Sequence, residues 1–379
     1  MSSWRRDNAR LPLAAGMTLI ELMVAMALAV ILVMAIYYIY TVTTRSYRVQ
    51  DQTLQAMEQA RFGLDQLRRD VAAAGFLATP NSAADLNVCP KPAVPLRAFS
   101  VARAGATNGN ANLQPNSVTL MGAFWNPAVY TTRSVIGKVI TLQDQTDGAQ
   151  FPDTQTDFNQ VFVPNRLLRI VNAEQFEMYY RIESANFTAR TITVVDPVAT
   201  TSPPDFCGIQ GFGVGLEVSV VGFVRYILVD DPDEAGKVDL VRQELDPRDA
   251  ALQTLMPNAT IRVAEYVADL QLYDFAMDTD ISGRAPFLTI FPTVAGVLDT
   301  GASLLNLTDA ARPQDLRYVT LKLTTRTPDE DETWPYRPRQ NPFDPIESYE
   351  VDGAMAGAAR TVTLATRVAL DSFQVRNVK

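Results

Sequence analysis

From Leu22 to Thr44 the chain carries no charged residue, and this run limits what it can fold into more than any other feature. As an α-helix the run would extend roughly 34 Å, enough to cross a hydrocarbon core of about 30 Å. Arg5, Arg6 and Arg10 precede it, opposed only by Asp7. Basic residues on the entry side hold that end in the cytoplasm and send the remainder across. A secretory signal would place its small residues after the apolar run, at a cleavage site. Here Ala14, Ala15 and Gly16 stand before the run, and nothing similar lies between Tyr40 and Arg48. The expectation is an anchor that stays attached to an exported body.

Glu21 is the anomaly at the head of this run. A carboxylate in an apolar helix costs roughly 2.5–3.5 kcal/mol near the bilayer centre and less near an interface. Glu21 either reaches the headgroups or meets a cation inside a protein assembly. No basic residue lies within a helical turn or two once the segment before Met17 is gone. The cation must then come from another chain or from a new α-amino group.

The stretch Gly16-Met17-Thr18-Leu19-Ile20-Glu21-Leu22-Met23-Val24 resembles the prepilin motif of type IV pilins and type II secretion pseudopilins. The resemblance implies removal of a leader, residues 1–16, by a prepilin peptidase that cuts between Gly16 and Met17. It implies N-methylation of the new terminal Met17, which stands where phenylalanine is usual in the family. It also assigns Glu21 to subunit assembly, as the carboxylate that neutralises the amine of an adjacent subunit.

Beyond Thr44 the sequence turns polar, with neither Gly nor Pro until Gly63. Met57, Ala60, Leu64, Leu67, Val71 and Ala74 recur at helical spacing as one apolar stripe. Glu58, Arg61, Asp65 and Arg69 are spaced for ion pairs away from it. Gly75 suits the residue after a helix end, and Pro80 prevents continuation. One helix from about Thr18 to Ala74 is expected. Residues 17–44 would be its transmembrane half and residues 45–77 its amphipathic half, covered by a sheet or paired in a coiled coil.

Residues 78–379 read as a β-rich globular domain. Strand-like runs are Ser117–Met121, Val139–Leu142, Leu167–Val171, Thr191–Val195, Glu217–Val229, Val238–Leu245, Ile261–Phe275, Leu316–Thr325 and Thr361–Leu370. Asp230–Gly236 reads as a hairpin tip, and Thr79–Asn116 and Pro328–Pro345 as loops. The expected fold is α+β and pilin-like, a long N-terminal helix packed on a large antiparallel sheet, with an insertion at 79–200. Cys89 and Cys207 are candidates for a disulfide in an oxidising compartment, which would contribute roughly 4–5 kcal/mol in the chain-entropy description.

The chain has no histidine, which removes His-ligated metal sites and Ser-His-Asp triads. Its formal charge of -9 argues against a nucleic-acid-binding body. Gly211–Gly215 lacks the spacing of a nucleotide loop, and Arg242 stands where a calcium loop begun at Asp231 needs a glutamate. No enzyme activity, cofactor or metal is expected.

The order LRRDVAAAGF, VRYILVD, VDLVRQEL, Val267–Tyr273 and Val368–Asn377 resembles the PilW-type minor pilins, relatives of the J-type pseudopilins. That resemblance implies a subunit that primes type IV pilus assembly in the inner membrane and is carried at or near the pilus tip. Implied partners are other minor pilins, the major pilin, prepilin peptidase and a PilY-type tip adhesin. A J-type pseudopilin and a pilin-anchored adhesin are the alternatives.

Overall fold

The computed structural model describes residues 18–110, 113–202, 205–249, 251–278, 288–291, 313–340, 345–351 and 357–374. Contacts divide the chain into two compact units, Met1–Gln52 and Thr53–Lys379. The division falls within the first helix, α1 (Leu19–Ala72).

In the second unit, α1 presents the expected stripe to a sheet from Ala60 onward, while Met57 is only half-buried and Ala56 is buried in its place. Ala56, Ala60, Leu64, Leu67 and Val71 are buried, and Ala74 just beyond the helix joins them. Gly63 lies on this face because nothing larger fits: a Cβ there would stand 2.9 Å from both the Ala264 Cβ and a Leu323 methyl. The helix stops where Gly75 takes φ +73°, a left-handed conformation that glycine adopts without strain. The freed Gly75 N–H donates to the Met121 carbonyl at 2.8 Å, which ties the helix end to the sheet.

That sheet has ten strands, and all its named pairings are antiparallel. They are β1 (Phe99–Arg103), β2 (Asn116–Gly122), β3 (Tyr130–Ile136), β4 (Val139–Leu142), β5 (Leu167–Val171), β6 (Glu177–Asn186), β7 (Thr191–Val194), β8 (Glu217–Asp230), β9 (Val238–Leu245) and β10 (Leu255–Ala264). β8 joins two lobes. Its C-terminal half pairs with β2 and β9 over α1. Its N-terminal end pairs with β3 on one edge and β5 on the other. The path β8-β3-β4-β7-β6-β5 therefore returns to β8 and closes on itself. Closure removes the free edges of these strands.

The closed lobe has its own core, including Ile140, Leu142, Leu168, Ile170, Met178, Ile182, Ile192 and Val218. Phe158 and Phe162, on either side of the end of α2 (Gln155–Val161), fill it from one side. Residues 123–216 thus form an excursion between β2 and β8, which are sheet neighbours. The loop expected at Thr79–Asn116 contains β1, which pairs with β2 and belongs with the strands over the helix.

A second sheet has the order β12 (Leu288–Phe291), β11 (Val267–Asp278), β13 (Leu316–Arg326), β15 (Ala359–Ala369) and β14 (Ser348–Tyr349). The run Ile261–Phe275, expected as one strand, is broken at Tyr266, whose φ of +52° turns the chain. β10 stays with β9, while β11 crosses to β13. The closing strand expected at Val368–Asn377 ends instead at Ala369. Asp371–Gln374 forms a short helix, α3, and Phe373 turns into the core beneath the end of α1. Residues 375–377 of that expected strand lie outside the described residues. The expected hairpin tip at Asp230–Gly236 joins β8 to β9.

Candidate functional site

Gly16 and Met17, the expected cleavage pair and methylation position, lie outside the described residues. Glu21 lies in the first turn of α1. Thr18 and Glu21 form a reciprocal cap. The Thr18 hydroxyl oxygen accepts the Glu21 N–H at 3.3 Å, and Glu21 Oε2 accepts both the Thr18 N–H and its hydroxyl at 2.9 Å. This is the S/T-x-x-E capping box, which satisfies backbone donors that the first helical turn leaves free. The spacing is present in the sequence as Thr18-Leu19-Ile20-Glu21, but there Glu21 reads as a carboxylate that reaches the headgroups or meets a cation, not as a cap. A carboxylate has two oxygens and about four lone-pair sites. The cap uses Oε2, so the group retains capacity for a further donor.

The helix that carries Glu21 is long and apolar enough to cross a membrane. Its large apolar side chains from Leu19 through Tyr40 are exposed along the whole run. Thr41 and Thr44 return their hydroxyls to the Tyr38 and Tyr40 carbonyls, so these polar side chains satisfy themselves within the helix. An apolar surface of this extent marks a membrane or a protein interface.

In the second unit a buried polar cluster fixes the helix to its sheet. Asp70 Oδ2 accepts the Tyr226 hydroxyl and Arg242 Nε, each at 2.7 Å. Asp70 is on α1, Tyr226 on β8 and Arg242 on β9. Burial first, and then the neighbouring Asp70 carboxylate, push the Tyr226 phenol well above its ordinary value, so it remains a donor. The Arg242 guanidinium also faces the Phe124 and Trp125 rings at 5.9 and 5.8 Å. Nearer the start of the packed half, Thr325 donates to the Ala56 carbonyl at 2.7 Å. No feature of the sequence brought Asp70, Tyr226 and Arg242 together.

Cys89 and Cys207 are joined by a disulfide that spans 118 residues of sequence. It links the segment after α1 to the closed lobe. The same junction is held by the Cys89 N–H donating to the Glu177 carbonyl at 3.0 Å. Around the β8–β9 tip, Asp231, the start of the calcium loop considered, and Asp239 are paired with cations. Lys237 Nζ lies 3.2 Å from Asp231, and Arg262 Nε lies 2.9 Å from Asp239.

Residues 12–37 match the family model described as the prokaryotic N-terminal methylation motif. This match supports a type IV pilin-like prepilin. It covers the Gly16–Met17 bond, the capping box and most of the apolar run, and it leaves the body unassigned. The comparison with curated proteins gives no match. The long N-terminal apolar helix followed by a large antiparallel β body accords with a pilin-like α+β fold.

Proposed function

We propose that the chain is a PilW-type minor pilin that primes type IV pilus assembly. Before assembly it stands in the inner membrane as a single-pass protein with a periplasmic body. It then enters the filament with other minor pilins and the major pilin, at or near the tip, where a PilY-type adhesin is the expected neighbour. Prepilin peptidase removes residues 1–16 first. The role of the chain itself is structural rather than catalytic. The observation that carries this reading is the methylation motif placed on an apolar helix whose first turn holds Glu21.

The chemistry of assembly follows from charge burial. Cleavage at Gly16–Met17 creates an α-amino group at the head of each helix, and methylation leaves its positive charge in place. When helices of several subunits pack, water is excluded from their heads. Breaking a buried ion pair by deleting one partner costs about 3–5 kcal/mol, because the remaining charge is stranded. Glu21 therefore fixes the axial position of a subunit against the amine of its neighbour.

The capping box makes a second role for Glu21 testable. Glu21→Ala removes both the cap and the pair, whereas Thr18→Val removes the hydroxyl of the cap and keeps the carboxylate. In a pilus-assembly assay Glu21→Ala is expected to lower surface pili by at least about tenfold, the effect of a few kcal/mol, while Thr18→Val retains most of them. Normal piliation in Glu21→Ala, or equal loss in both variants, contradicts the charge-pair role.

A further inference from the structure

The closed lobe carries a depression of about 360 Å³ at one end of its sheet. The register makes this place. Thr141 of β4 stands opposite Thr191 of β7, so the connection leaving β4 and the turn entering β7 emerge together. The Leu142 N–H donates to the Arg190 carbonyl at 2.9 Å and pins the two segments side by side. Phe151 comes from the first segment and Phe187 from the second, and their rings lie 5.6 Å apart at 31°. Both rest on Phe158, with centroids at 5.5 and 5.7 Å, and Phe158 is fully buried in the core of the lobe. The two rings are thus fixed from beneath and remain half-buried at the depression.

Polar groups surround the rings. Arg190 pairs with Asp144 at 2.6 Å, and the Gln145 amide donates to Asp153 at 2.5 Å. Donors and acceptors thus border an aromatic surface. A saturated ring with C–H faces and hydroxyl edges is complementary to that arrangement, because each hydroxyl both donates and accepts. The volume lies at the small end of ligand pockets, about 300–1,000 Å³. Two carboxylates against one guanidinium disfavour phosphate, sulfate or carboxylate ligands. Both carboxylates already accept from donors within the site, Asp144 from Arg190 and Thr146 and Asp153 from Gln145, which weakens their pull on an amine.

We propose that this depression binds a neutral sugar residue of a glycan, a binding function additional to filament assembly. The test uses the full mature chain in a sugar-free detergent and saturation-transfer NMR. The probes are the methyl glycosides of glucose, galactose and mannose, and N-acetylglucosamine, with butylamine and inorganic phosphate alongside. At least one sugar is expected to receive saturation from aromatic protons. Gln145→Ala and Arg190→Gln are each expected to weaken it about tenfold, the loss of one strong hydrogen-bonding group, with the β-sheet circular dichroism of the body retained. No transfer to any sugar at about 20 mM, far above useful affinity, overturns the proposal. So does transfer that both variants leave intact, or binding of butylamine or phosphate alone. The readout is independent of pilus assembly, so its failure and that of the assembly reading are separable.

Discussion

Asp70→Ala is expected to destabilise the body by about 3–5 kcal/mol, because it strands a guanidinium in a site built for an ion pair. Asp70 Oδ2 is the meeting point of Arg242 and the Tyr226 hydroxyl, and all three side chains are largely removed from water. Losing the carboxylate leaves a charge and a phenol without their acceptor, and an unsatisfied buried donor adds about 1–3 kcal/mol of its own. Chemical unfolding of the full chain in detergent measures the loss. Trp125, with the Arg242 and Arg166 guanidinium groups 5.8 and 3.9 Å from its rings, is a fluorescence reporter of the same region. The double variant Asp70→Leu with Arg242→Met should recover most of the loss, since removing both partners leaves no stranded charge. If the double variant is as unstable as the sum of the two singles, the pairing account of this cluster is wrong.

Removing the disulfide is the second large effect. The bridge between Cys89 and Cys207 closes a loop of 118 residues, for which the chain-entropy description gives about 5 kcal/mol. Cys89→Ser with Cys207→Ser should lower stability by up to that amount. The loss should fall on the closed lobe and the Thr79–Arg97 segment rather than on the helix–sheet core. Hydrogen exchange resolves the two: faster exchange is expected in β5 and β6, where Glu177 holds the Cys89 backbone, with β11 and β13 little changed. Uniform acceleration across both regions would show that the body unfolds as one unit and that the bridge does not act locally.

The legible parts of this molecule are those set by local pattern. A helix was expected from Thr18 to Ala74 and runs Leu19–Ala72, because an uncharged run and then a 3.6-residue stripe specify it residue by residue. Val139–Leu142, Leu167–Val171 and Val238–Leu245 were read to the residue from their β-branched and apolar content. The closed lobe was not legible. Its closure depends on Glu217–Val221 pairing with Leu167–Val171 on one edge while Tyr130 and Thr131 pair on the other, contacts that no local period encodes. β6 (Glu177–Asn186) mixes charged and aromatic residues, and no local period marks it as a strand. The Asp70–Arg242 contact spans 172 positions and likewise leaves no signature. At the N-terminus the reverse holds. The motif was plain in the sequence, while the hydrogen bonds of Thr18 and Glu21 give its carboxylate a second task.

The central claim is that the chain is a processed pilin-like subunit, and mass spectrometry of the purified mature protein tests it most directly. The N-terminal peptide is expected to begin at Met17 and to carry a methyl group on its amine. An intact N-terminus at Met1, or a terminus created beyond Tyr40 by a signal peptidase, would contradict it.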